Sequence, residues 1–159
     1  MFTASELFDL AVRVEENGER FYRSALKRAK SETVKELLSW LADQEVEHRN
    51  TFSQIREAIA AETQQDPALL ALGRDVLRSA MGRHAFSLEE LEVGSEENEE
   101  DILRAALGFE EDTLLFFDFI SPLVSNRAVC GLLEKIKTEE HNHKRVLLDK
   151  ISEIQKATA

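Results

Sequence analysis

Glu45 and His48 stand three residues apart, and so do Glu140 and His143. On an α-helix that spacing puts both side chains on one face, one turn apart. A carboxylate and a neutral imidazole pointing the same way form a two-toothed ligand for a borderline transition metal. One Glu-x-x-His in a glutamate-rich chain says little. Two of them say more, because the offset of 95 between them carries further. Glu15 shifted by 95 is Glu110, and both Glu15 to Glu45 and Glu110 to Glu140 are separations of 30. Nearby, Ala11 matches Ala106, Val12 matches Leu107, Glu16 matches Glu111 and Phe21 matches Phe116. Leu38 matches Leu133, Leu41 matches Ile136, and Phe52 matches Leu147. The chain reads as a duplicated helical hairpin. Each half carries one Glu on its first helix and Glu-x-x-His on its second.

Four helices must position these groups. Periodicity predicts the first over 3–29, opened by a capping box at Thr3 and Glu6. Its inward stripe is Leu7, Ala11, Glu15, Gly18, Tyr22 and Leu26, so Glu15 is the buried acid and Glu16 the solvated one. Lys30-Ser31 marks a tight turn, with Ser31 as N-cap of a second helix running to 61. There Glu45 and His48 share a face with Leu38, Leu41, Ala42 and Phe52, while Glu47 lies among polar residues. The third helix spans 96–120, with Glu110 on the face of Leu103, Ala106, Leu107, Leu114 and Phe117. Glu111 is the less favoured ligand there, and the run Leu114 to Phe117 reads as core. Ser121-Pro122 breaks that helix. A fourth follows over 126–155, with Leu133, Ile136, Glu140, His143 and Leu147 inward, His141 outward and Cys130 as a core thiol. Glu139 competes with Glu140, but the Glu45 to His48 spacing favours Glu140. Residues 62–95 form a crossover. Asp66-Pro67 opens a short helix there that Gly82 ends after Met81, and His84 is a surface residue. About 34 residues can cross a bundle of roughly 40 Å, at about 1.5 Å per residue in helix and over 3 Å extended. That permits a parallel relation between the second and third helices.

The bulk numbers agree with one globular domain of 159 residues, 43% hydrophobic and 32% charged. Its hairpins cover 3–61 and 96–156. The net charge of −11 argues against nucleic acid as a partner, which wants a basic face. No membrane-length apolar run and no signal peptide are visible. With Cys130 alone there is no intrachain disulfide and no Cys-x-x-Cys pair, which suits a cytoplasmic, reducing setting.

Four inward glutamates in one core require a counter-charge, because an unpaired buried carboxylate costs several kcal/mol. Two divalent ions balance four carboxylates. Each would take one histidine and one terminal glutamate, with two glutamates bridging. The assignment is Glu15 and Glu110 terminal, Glu45 and Glu140 bridging. Such mixed N/O ligation suits two iron ions or manganese, and zinc would also bind.

The pattern resembles the ferritin-like di-iron carboxylate four-helix bundles, an all-α fold with a long crossover between helices two and three. In detail it resembles their rubrerythrin branch. Val14-Glu15-Glu16-Asn17-Gly18-Glu19-Arg20-Phe21-Tyr22 is similar to that family's first-helix motif. Leu107-Gly108-Phe109-Glu110-Glu111-Asp112-Thr113 with Phe116-Phe117 is similar to its third, and Glu139-Glu140 through His143-Lys144-Arg145 to its fourth. Two departures stand out. The family carries an extra carboxylate one turn after the third-helix ligand, where this chain has Thr113. It also carries a C-terminal rubredoxin domain, for which these residues hold no cysteine set. The resemblance implies peroxide reduction, or other oxidative-stress redox chemistry with peroxide or dioxygen, at a di-iron site. It also implies an external rubredoxin-like electron donor and a homodimer. Tyr22 is positioned to hydrogen-bond a ligand or intermediate, or else serves as a core residue with a satisfied hydroxyl. The alternatives are a ferroxidase or iron-buffering protein, and a redox-silent zinc-type bundle.

Overall fold

The computed structural model describes residues 4–60 and 98–159. Helix α1 covers Ala4–Leu26, α2 Glu32–Ala60, α3 Glu99–Ile120 and α4 Arg127–Thr158, with a 3-10 turn at Ser121–Leu123. There is no strand among the described residues, and the architecture is a four-helix bundle. The crossover lies outside the described residues, as do its Asp66-Pro67 helix, His84 and the Thr3 cap.

Local chemistry sets the helix ends. Asn98 caps α3 by accepting from the Asp101 backbone N–H at 2.9 Å, and Glu99, Glu100 and Asp101 meet the positive end of its dipole. Asn126 caps α4 by accepting from the N–H groups of Ala128 and Val129. Pro122 falls in the 3-10 turn that ends α3, and Ser121 returns its hydroxyl to the Phe117 carbonyl at 2.8 Å. Between α1 and α2, the Arg28 and Ala29 N–H groups both close on the Ala25 carbonyl. That ends α1 at Leu26, three residues short of the predicted end.

Helix α1 packs on α2 and α3 on α4, and the hairpins meet through α1 with α3 and α2 with α4. A carboxylate fixes how they meet. Glu99 Oε1 at the start of α3 accepts from the Lys30 and Ser31 backbone N–H groups at 2.5 and 2.6 Å, just before α2 begins. Helices α2 and α3 therefore start at the same end of the bundle and run parallel. Gln155, near the end of α4, donates to Glu100 there as well.

The core is split in two. Leu7, Phe8, Ala11, Phe52, Phe109, Phe117, Leu133 and Ile136 belong to one apolar cluster. Tyr22, Ala25, Leu38, Leu41, Leu103, Ala106, Leu147 and Ile151 belong to the other. Each helix passes from one cluster to the other, and the residues between them are the candidate acids and histidines. Two expectations are corrected. Leu115 is 58% exposed, because four consecutive helical residues cannot share one face. Cys130 is only half-buried in the first turn of α4, where its thiol donates to the Val124 carbonyl at 3.1 Å.

Candidate metal centre

All six predicted residues arrive in the layer between the two apolar clusters. Glu15 comes from α1, Glu45 and His48 from α2, Glu110 from α3, and Glu140 and His143 from α4. Each is at most 2% exposed. Of the neighbouring residues judged outward, Glu47, Glu111 and His141 are exposed and Glu16 is intermediate.

The ligand-type atoms fall into two overlapping sets. Glu15, Glu45, His48 and Glu140 form one, and Glu45, Glu110, Glu140 and His143 the other, with the atoms of each set within 4.8 Å of one another. Glu45 and Glu140 belong to both. Glu140 gives one oxygen to each side, Oε1 standing 2.8 Å from His48 Nδ1 and Oε2 2.9 Å from His143 Nδ1. Glu15 Oε2 is 3.7 Å from His48 Nδ1, and Glu110 Oε1 is 3.6 Å from His143 Nδ1. The two imidazoles stack at 5.5 Å and 19°.

These short approaches are not hydrogen bonds. Both oxygens of Glu15, Glu45 and Glu140, Glu110 Oε2, and the Nδ1 atoms of both histidines have no aligned partner. Native interiors rarely leave so many buried polar atoms unmatched. Their lone pairs converge on shared points rather than on each other, which is the arrangement a pair of cations requires. The donor set fits as well, being carboxylate oxygen with imidazole nitrogen.

Without ions the cluster has a raised affinity for protons. Burial, reinforced by neighbouring carboxylates, pushes Glu15 and Glu45 well above the usual carboxylate range, and Glu110 up to about 8. Burial acts on Glu140 the same way, but the two flanking imidazoles outweigh it and hold that carboxyl below its ordinary value. Burial lowers His48 and His143, yet the carboxylates beside them win and raise them to about 9 and about 10. Glu140 is thus the anion between two imidazoliums.

The family model of rubrerythrins matches residues 6–105. The chain belongs to the rubrerythrin family. No protein of curated function matches it. Among solved structures it is similar to a protein of Thermotoga maritima described as a ferritin-like diiron-carboxylate protein. The two are 22% identical, with a TM-score of 0.69 and 96% of each chain covered. That likeness establishes a ferritin-like fold.

Three contacts of this rubrerythrin-family site were not legible from helical spacing. Tyr22 on α1 donates its hydroxyl to Glu110 Oε1 on α3, and burial beside that carboxylate keeps the phenol proton in place. Glu139 accepts from His48 Nε2 at 2.9 Å. Trp40 packs edge-on against His143, with ring centroids 5.3 Å apart at 80°. All three join different helices, which spacing within one helix cannot reveal.

Gly18 has a steric reason. A Cβ there would lie 2.9 Å from Phe109 Cε1 and 3.0 Å from Glu45 Oε2. The Phe109 ring, stacked on Phe21, and the Glu45 carboxylate are both crowded by it, so the pair must shift. Gly18→Ala should therefore weaken metal binding by about tenfold or more, although alanine is the better helix former by about 1 kcal/mol. Gly108, with nothing within 4 Å of its Cβ position, supplies the control. Gly108→Ala should raise stability by about 1 kcal/mol and leave metal affinity unchanged. Equal metal affinities in the two variants would refute the close approach.

Proposed function

We propose that this protein is a di-iron oxidoreductase that reduces hydrogen peroxide with electrons from a separate donor protein. The observation that carries the reading is the pair of overlapping, buried Glu/His sets sharing Glu45 and Glu140, in a chain of the rubrerythrin family. Glu15, Glu45, His48 and Glu140 would hold one ion and Glu45, Glu110, Glu140 and His143 the other, with Glu15 and Glu110 serving one ion each and Glu45 and Glu140 shared. Two iron ions, when bound, supply the two electrons that divide an O–O bond, with H2O2, two protons and two electrons giving two waters.

The chain's own residues do the rest. Four carboxylates offset the charge of two divalent ions. The two apolar clusters exclude bulk water from both ends of the layer, which strengthens each electrostatic contact inside it. Tyr22 holds Glu110 in place through its hydroxyl and keeps its own proton there. One cysteine leaves no four-thiolate electron-transfer site within these residues, and the donor proposed is a rubredoxin-like protein. The cytoplasm is the compartment that suits a ferrous cofactor, and a homodimer the assembly. No helix among the described residues is long and apolar enough to cross a membrane.

The test is to load the chain anaerobically with two ferrous ions and follow their oxidation optically. Peroxide should oxidise them faster than dioxygen at equal concentration. The opposite order, or uptake of many more than two irons per chain, would replace this reading with ferroxidase or iron-buffering activity. Native protein carrying only zinc would replace it with a redox-silent site.

A further inference from the structure

The two halves of the site are related by the 95-residue offset, yet what stands behind each histidine differs. Each histidine turns Nδ1 toward the shared carboxylates, so Nε2 lies on the far side of the ring. Behind His48 is Glu139 of α4, whose Oε2 is 2.9 Å from Nε2. Lys135, one turn earlier, stands 3.7 Å from the other oxygen of that carboxylate. Subtracting 95 puts Gln44 and Trp40 in the places of Glu139 and Lys135. Behind His143 no carboxylate arrives from the described residues. Its Nε2 has no hydrogen-bond partner, and the neighbouring side chain is the Trp40 indole. The terminal carboxylates differ too. Glu110 already shares Oε1 with the Tyr22 hydroxyl, whereas both oxygens of Glu15 are uncommitted. Phe117 occupies the place in the second half that Tyr22 holds in the first.

We infer that Glu139 is a positioning residue for His48, and that its absence behind His143 makes the two metal positions unequal, the His48 position filling first. This rests on the metal-binding reading above. A carboxylate accepting Nε2–H fixes the tautomer that leaves Nδ1 free for a metal and makes that nitrogen a stronger donor. Removing such a partner weakens a metal site by about 10- to 100-fold. At the other position the imidazole has no such support, and one ligand oxygen is shared with a phenol. Glu139 is not a catalytic residue, since it acts through the histidine it holds.

The chain carries its own reporter, because Trp40 is its single tryptophan and packs edge-on against His143. The wild-type protein is stripped with chelator and titrated with Co2+, by calorimetry and by Trp40 emission in parallel. Two binding steps are expected, with most of the quenching confined to the second equivalent. In Glu139→Ala, a substitution at a residue 36% exposed with the fold checked by circular dichroism, the tighter step should weaken by about 10- to 100-fold. Quenching should then begin with the first equivalent. Gln44→Glu should tighten the second step. If wild-type quenching is complete after the first equivalent, or if Glu139→Ala weakens both steps alike or neither, the inference is overturned while the metal site stands. If the wild-type chain binds no pair of ions, the metal-site reading falls and the inference with it.

Discussion

Replacing Glu140 by glutamine should abolish paired metal binding and also destabilise the ion-free protein by about 3–5 kcal/mol, the usual cost of removing one partner from a buried charge network. The same change at Glu45 should abolish the metal pair without that penalty. The contrast follows from where the protons sit. Glu140 is the carboxylate that stays ionised, one oxygen against each imidazole at 2.8 and 2.9 Å. Glutamine is nearly the same size but leaves two buried imidazoliums without their anion. At Glu45 the protonated form is favoured instead, because burial raises its pKa first and neighbouring Glu15 and Glu140 raise it further. A neutral amide there replaces a neutral acid, so ion-free stability should change by less than about 1 kcal/mol. For a chain of this size, with about 2–4 °C per kcal/mol, Glu140→Gln should melt roughly 6–20 °C lower in chelator, and Glu45→Gln within a few degrees of wild type. Exposed Glu47→Ala should change neither metal content nor melting by more than about 0.5 kcal/mol. Melting in chelator together with metal content after reloading reads both effects. Equal melting of the two glutamine variants would refute the charge assignment, and two tightly held ions in either variant would refute bridging.

The sequence carried the bundle and the six buried groups because both depend on short-range periodicity and on one internal repeat. Glu15 and Glu16 differ by one position, yet the apolar stripe separates the buried acid from its solvated neighbour, and the same logic sorted Glu45 from Glu47. The repeat supplied a second copy of each inference. What stayed hidden was whatever one helix does to another. Within α4 Glu139 reads as a rival ligand to Glu140, whereas its carboxylate reaches across to His48 on α2. Trp40 carries no signal of its role on α2, and its contact with His143 exists only because α4 packs there. The Glu99 clamp on the start of α2 spans 68 residues in sequence and has no local signal. Leu115 shows the opposite failure, a strongly apolar run read as wholly buried when helical geometry turns one of its members outward.

Metal should stabilise the protein more as pH rises, and the ion-free protein should lose stability over the same range. Glu15, Glu45 and Glu110 have folded pKa values raised above the unfolded carboxylate value, and His48 and His143 are raised above the unfolded histidine value. A raised group contributes fully below its unfolded pKa and loses that contribution as pH climbs through its folded pKa. For Glu110 the loss runs from about 4.5 through about 8. For His48 and His143 it runs from about 6.5 through about 9 and about 10. Glu140 is depressed, so its contribution is present above about 4.5 and is lost only as strong acid reaches its lowered value. It adds no slope between neutral and alkaline pH. The native ion-free state therefore binds more protons than the unfolded chain near neutrality, and its melting temperature should fall steadily from about pH 6 to 9. A metal ion displaces those protons, so binding releases them and tightens as pH rises. At free metal one hundred times each dissociation constant, two ions add about 5 kcal/mol, or roughly 10–20 °C in melting at about 2–4 °C per kcal/mol. Melting curves at pH 6, 7 and 8, in chelator and with excess Mn2+, should show the two sets of midpoints diverging. Calorimetry in buffers of different ionisation enthalpy should show several protons released per pair of ions. A chelator curve flat across this range, or a metal-induced shift that shrinks with pH, would mean that the acids and imidazoles of this layer do not hold the protons that metal must replace.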